Sequence, residues 1–170
     1  MWVFDATPLI YLAKVDRLAL VQHLDEPRVL PDRVYEEVVT TGVEEGYPDA
    51  RRIEQQVEAT RFEIKSVAAT SLLAQLESNP NLSEADAAVL ACAAIHDGIA
   101  VMDETYGRDV ATTEGITTRG TAYLVLKFAQ SGAISVAEAR RVIDAMIDAG
   151  WYCAPDVYTR IIGKLDSFST

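Results

Sequence analysis

The sequence predicts an α/β fold built on a mostly parallel sheet. Short apolar runs (2–4, 28–30, 62–67, 99–102 and 116–118) alternate with stretches of helical periodicity, the pattern of strand–helix–strand units. Two of those runs end in acids, Asp5 after the first and Asp103-Glu104 after the fourth. Ligands of open parallel sheets bind beyond the carboxyl ends of strands, so the pattern predicts a site as well as a fold.

Each element has a local reason. Residues 2–5 are an apolar strand stopped by a polar residue. Thr7 suits a cap and Pro8 the first position of a helix, with Leu9, Ile10, Leu12 and Ala13 following at near-helical spacing. Residues 16–24 form a second short helix, and Arg28, Val29 and Leu30 a second strand. Pro31 and Asp32 open a helix over 31–39. Residues 40–48 are polar and contain Gly42 and Gly46, a predicted loop. A charged helix spans 49–60. Residues 62–67 alternate with period two, as an edge strand does. Residues 68–77 read as helix, broken by Ser78-Asn79-Pro80-Asn81. The central helix runs over 83–97, with Gly98 predicted to end it. The strand at 99–102, a helix over 105–113 closing at Gly115, and a strand at 116–118 follow. Three helices, 120–131, 135–149 and 156–164, complete the chain, separated by Gly132 and by residues 150–155.

The chain has 170 residues and 49% hydrophobic content. This argues against disorder and fits one domain over 1–170, with a core in 1–125 and a helical tail in 126–170. No apolar run approaches the ~18 residues of a membrane span, and the chain enters a strand pattern at once, so a cytoplasmic protein is expected. Cys92 and Cys153 fit no metal spacing, and Cys92 lies in an apolar helix where a buried, reduced thiol is expected. His23 and His96 also lack ligand spacing, which argues against zinc.

The net charge is −11, and Lys14, Lys65, Lys127 and Lys164 are the only lysines. Such a surface stays hydrated at high salt and fits a halophilic source. Taken alone, the charge speaks against nucleic acid. In an acidic proteome only local charge is informative.

The acids carry the chemistry, and each has a bland reading beside the functional one. Asp5 follows a strand, as many turn aspartates do. Asp86 completes Ser83-Glu84-Ala85-Asp86, which resembles a capping box. Glu36 and Glu37 flank an apolar arc of Val34, Tyr35, Val38 and Val39 on opposite sides, and helical phase cannot choose between them. Asp103 and Glu104 end a buried strand, where two acids are uncommon as scaffold. Acids brought together repel and either raise their pKa values or require a cation. Oxygen donors of this kind suit Mg²⁺ or Mn²⁺.

The order strand–Asp5, Val34-Tyr35-Glu36-Glu37-Val38, Leu82-Ser83-Glu84-Ala85-Asp86-Ala87-Ala88-Val89-Leu90-Ala91, then Val101-Met102-Asp103-Glu104 resembles the PIN-domain family of metal-dependent ribonucleases. Residues 103–111, then Gly115-Ile116 and Arg119-Gly120-Thr121, and the tail over 132–165 are similar to a prokaryotic, VapC-like branch of it. The resemblance implies a three-layer α/β/α fold and a four-acid site of Asp5, Glu37, Asp86 and Asp103. Glu104 is then a further metal ligand, and Thr7 and Ser83 are supporting hydroxyls. Mg²⁺ or Mn²⁺ is the implied cofactor and single-stranded RNA the implied substrate. Many relatives are toxins, so an antitoxin partner and a homodimer are implied too. Where many members have Thr or Ser before the fourth acid, this chain has Met102.

Arg108 and Arg119 flank the expected edge and are candidates to meet substrate phosphates. Arg51, Arg52 and Arg61 are candidates for a groove wall, against a solvated surface. One competing expectation is a catalytically silent nucleic-acid-binding or scaffold member of the fold. Another is a phosphoryl-transfer α/β domain, which needs a lysine in the site and, in phosphatases, a second Asp where Thr7 stands. A plain interaction module has no positive feature in its favour.

Overall fold

The computed structural model describes residues 1–169. Strands β1 (Trp2–Phe4), β2 (Arg28–Pro31), β3 (Glu63–Lys65), β4 (Ile99–Val101) and β5 (Thr117–Arg119) form one sheet. Its order is β3-β2-β1-β4-β5, and every pairing is parallel. Trp2, Val3 and Phe4 are all buried, because side chains of both orientations on β1 meet a covering layer. β3 lies at the edge, as its alternation predicts.

Two sets of crossovers cover the two faces. α1 (Ala6–Lys14), a 3₁₀ helix (Leu18–His23), α2 (Asp32–Tyr35), α3 (Gly42–Glu44) and α4 (Pro48–Glu58) connect β1 to β2 to β3. α5 (Ser71–Glu77), α6 (Glu84–Ile95) and α7 (Thr105–Thr113) lead back across to β4 and β5. Right-handed crossovers running in opposite directions lie on opposite faces, and the result is the three-layer α/β/α arrangement. α6 lies along β1, β2 and β4, and α1 packs on α4. The tail helices α8 (Thr121–Gln130), α9 (Val136–Asp148) and α10 (Pro155–Ser167) pack on one another, and α9 reaches α1. Val142, Ile143 and Met146 of α9 are core residues.

The core centres on β1 and α6. Phe4, Leu30, Leu90, Met102 and Leu124 are fully buried, each stabilising the fold by roughly 1.5–3 kcal/mol relative to exposure. Phe4 also packs edge-on against Phe62, with centroids 5.2 Å apart. α6 is apolar nearly all round, from Ala87 to Ala93, as a helix sandwiched between other elements must be.

Four local expectations need correction. α1 begins at Ala6 with Asp5, not Thr7, at its cap position. Thr7 and Pro8 sit in the first turn, where a missing proline N–H is harmless. The second short helix is 3₁₀ and starts at Leu18, because Asp16 adopts φ 57° and interrupts any helix from 16. Residues 40–48 are largely helical: a π-helix spans Glu36–Thr41 and runs into α3. Gly42 is there for contact, since an added Cβ would lie 2.7 Å from the Cβ of Ala50. At the end of α6 the left-handed residue is Asp97, φ 49°, a conformation Asp tolerates. Gly98 instead admits the Met1 carbonyl, 2.9 Å from where a Cβ would sit.

Candidate metal centre at the carboxyl edge of the sheet

The chain leaves β1 towards β2 on one side, and β4 leads to β5 on the other, so the switch point of the sheet falls between β1 and β4. Phe4 is in register with Val101. Asp5 and Asp103 therefore emerge at the same edge, one residue past β1 and two past β4. The Asp5 N–H donates to the Val101 carbonyl at 3.0 Å and the Met102 N–H to that of Arg119 at 2.9 Å. These bonds tie the ends of the strands together under the site.

Asp5 is 6% exposed. Burial, and then the neighbouring Asp86 carboxylate, push its carboxyl up to about 8, with Glu37 adding to the effect and the Ala6 N–H opposing it. Asp86 reaches this position from the first turn of α6. Its N–H donates to Ser83 Oγ at 3.0 Å, and its Oδ2 accepts from the Ser83 N–H at 3.4 Å. The capping box is thus real, and the same carboxylate faces Asp5. A cap fixes the side chain that the cluster needs.

Glu37 comes from the π-helix. Desolvation, and then the Asp86 charge, hold its carboxyl above the usual range. Both adjacent glutamates are exposed, and of the two it is Glu37 whose charge acts on Asp5. The wider i→i+5 turn of a π-helix rotates side chains away from the phase of a 3.6-residue helix.

Asp103 is held by the tail. Its Oδ1 accepts from the Thr121 N–H at 2.7 Å. Its Oδ2 accepts from Thr121 Oγ1 at 2.7 Å and from Trp151 Nε1 at 3.2 Å. Gly120 allows this contact, because a Cβ there would lie 2.9 Å from Oδ1. Thr121, Trp151 and Gly120 were not singled out as site residues. For Gly120 and Thr121 the available signal is the Arg119-Gly120-Thr121 segment of the family-like pattern, and for Trp151 an aromatic pair, Trp151-Tyr152, inside an interhelical break. Glu104 is exposed at the cap position of α7. Together with Thr7 and Asp103 it lines a cleft of about 440 Å³.

The edge therefore carries two groups, Asp5–Glu37–Asp86 and Asp103–Glu104–Thr7. Among the described residues, no three His, Cys, Asp or Glu side chains converge closely enough to enclose a metal ion. The donor chemistry nonetheless fits a divalent cation. Asp5 is a buried carboxyl against a second carboxylate, and such a pair retains a proton or shares a cation. All the donors are oxygens, which suit Mg²⁺ or Mn²⁺.

Arg108 and Arg119 line a hollow beside Asp103. Arg119 donates to the Thr118 carbonyl at 2.8 Å and lies 5.0 Å from the Tyr123 ring centroid. The remaining arginine candidates serve the scaffold. Arg51 pairs with Glu54 at 3.0 Å. Arg52 caps the end of α1 through the Ala13 carbonyl at 2.8 Å. Arg61 Nη2 lies 3.4 Å from Gln22 Oε1. Among the described residues, no helix is long and apolar enough to cross a membrane.

No curated protein matches the chain. A family model described as a PIN domain matches residues 1–167. PIN domains are generally nucleases, which makes the fold nuclease-type and implies nucleic-acid binding. A parallel sheet in this order, with acids at its switch point and a family match over nearly the whole length, makes the chain a member of the PIN-domain family.

Proposed function

We propose that the protein is a metal-dependent endoribonuclease of single-stranded RNA. Asp5, Glu37, Asp86 and Asp103 would hold Mg²⁺ or Mn²⁺, with Glu104 as a further ligand. The ion would supply activation of water and neutralisation of charge at the phosphodiester. The observation that carries this reading is the contact of buried Asp5 with Asp86. As scaffold, the pair is unfavourable at neutral pH, and a site for a cation gives it a purpose.

The chain's own residues have separate tasks. Asp5 is rigid and dehydrated at the end of β1, and must give up its proton to act as a ligand. Ser83 fixes Asp86 through the cap. Thr121 and Trp151 orient Asp103. Thr7 offers a hydroxyl in the cleft that Asp103 and Glu104 share. Arg108 and Arg119 bring positive charge to an acidic chain where substrate phosphates would lie. By resemblance, the toxin of a toxin–antitoxin pair is the biological form of this activity, with an antitoxin and a second copy as partners in the cytoplasm.

One observation favours a silent nucleic-acid-binding protein: both oxygens of Asp103 are already hydrogen-bonded. End-labelled single-stranded RNA incubated with Mn²⁺ separates the two. Cleavage by wild type, lost with EDTA and in Asp5→Asn, supports the nuclease. Binding without cleavage by wild type supports the silent protein.

A further inference from the structure

Next to Asp103 the surface dips into a cavity of about 340 Å³, at the small end of the ~300–1,000 Å³ typical of ligand pockets. Arg108, Arg119, Tyr123, Trp151 and Tyr152 share its wall with Asp103. In a chain of net charge −11, the other charged residues on this wall are both arginines. Among the described residues, the Arg108 guanidinium makes no hydrogen bond or ion pair, although its Nη1 and Asp103 Oδ1 border the same point at Gly120, 3.1 and 2.9 Å from where a Cβ would sit. Arg119 is already fixed over Tyr123.

Tyr152 is 85% exposed. A large ring left in water contributes little to the fold. Its chain neighbour Trp151 is buried and bonded to Asp103, so the Tyr152 backbone is anchored beside the acid. Asp103, Trp151 and Tyr152 also border the second cleft, the one holding Thr7 and Glu104. Tyr152 thus stands between two hollows that meet at Asp103.

A flat ring open to solvent beside an unpaired guanidinium suits one ligand chemistry best. Unpaired bases stack on aromatic faces, and their phosphates take arginine. We propose that the cavity between α8 and the 150–155 turn is a nucleotide subsite, where a base of single-stranded RNA stacks on Tyr152 and an adjoining phosphate meets Arg108. The choice of RNA rests on the ribonuclease reading above. The recognition itself needs no metal. Bases paired in a duplex are not available to the ring, so the subsite selects single strands.

The test is binding of a fluorescent single-stranded RNA in EDTA, where no cleavage competes, followed by cleavage kinetics in Mn²⁺. Tyr152→Ala is expected to weaken binding about 10-fold or more, the scale of one stacked base, and Tyr152→Phe to bind as wild type does. Arg108→Gln is expected to lower the salt slope of binding by ~0.7. In Mn²⁺, Tyr152→Ala should raise KM and leave kcat near wild type. Tyr152 is so exposed that Tyr152→Ala leaves the fold intact, which a melting curve checks. Equal RNA binding by Tyr152→Ala and wild type overturns the subsite, as does equal loss in Tyr152→Phe and Tyr152→Ala, or no RNA binding by wild type. Wild type that binds through Tyr152 but never cleaves keeps the subsite and loses the nuclease reading. Wild type that cleaves while Tyr152→Ala keeps its affinity and KM loses only the subsite.

Discussion

The Asp86 carboxylate, presented by a helix cap, lies against the buried Asp5 carboxyl at the end of the first strand. Burial first, and Asp86 second, make Asp5 hold its proton to about 8 instead of 3.8. The unfolded chain releases that proton near the ordinary value. Between the two values the folded state binds more protons, so stability falls as pH rises from about 4 to about 8 and levels off above.

Asp5→Asn removes this penalty. In EDTA the variant should melt above wild type at pH 8–9, by a margin on the order of a few kcal/mol, and much closer to it at pH 5. It should also lose RNA cleavage. Thermal melts at several pH values check the first point. A difference that does not grow with pH contradicts the assigned environment of Asp5.

Metal binding should release a proton from the cluster. The affinity for Mn²⁺ should therefore rise with pH towards about 8, by up to about tenfold per pH unit for one released proton. The raised Glu37 carboxyl acts in the same direction. Calorimetry at pH 6 and pH 8 measures this. Equal affinity at both values removes Asp5 and Glu37 from the ligand set.

Asp86 serves both a cap and a cluster, and two variants separate the roles. Asp86→Asn keeps an acceptor for the Ser83 N–H and loses the charge. It should fold like wild type and fail to cleave RNA. Asp86→Ala also loses the acceptor for the Ser83 N–H, while its own N–H still donates to Ser83 Oγ, and should be less stable than Asp86→Asn by about 0.5–1 kcal/mol. Cleavage at the wild-type rate by Asp86→Asn would exclude the carboxylate from the chemistry.

Asp103 depends on Thr121. Thr121→Val keeps the backbone donor and removes the hydroxyl donor to Oδ2. The lost bond to a charged group costs about 1.5–3 kcal/mol of stability. Because the bond aims the acid, kcat should fall while KM for RNA stays near wild type. A variant destabilised but normal in kcat would assign Thr121 to the fold alone.

The fold was legible because its strands are short apolar runs separated by strong helix signals. Asp5 and Asp103 stand out in the sequence as acids ending such runs, whereas the capping box of Asp86 offers a bland reading and only the family resemblance points to it as a site acid. Glu37 was not legible from periodicity, because the π-helix over Glu36–Thr41 breaks the 3.6-residue phase by which its direction would be read. The same helix hid behind polar residues and Gly42, whose role is contact with Ala50. The support of Asp103 comes from Thr121 and Trp151, far along the chain. Met102 is buried and supplies no hydroxyl. Only tertiary packing of the tail brings Thr121 and Trp151 to the acid, and no local pattern encodes that meeting.

A nuclease of this kind needs acids distant in sequence to hold one cation at the switch point of the sheet. Anomalous diffraction from a crystal soaked in Mn²⁺ tests it most directly. The proposed site predicts a manganese peak at the carboxyl edge of β1 and β4, with Asp5, Glu37, Asp86 and Asp103 as its ligands. A soaked crystal with no peak at that edge, or with manganese bound only elsewhere, contradicts it.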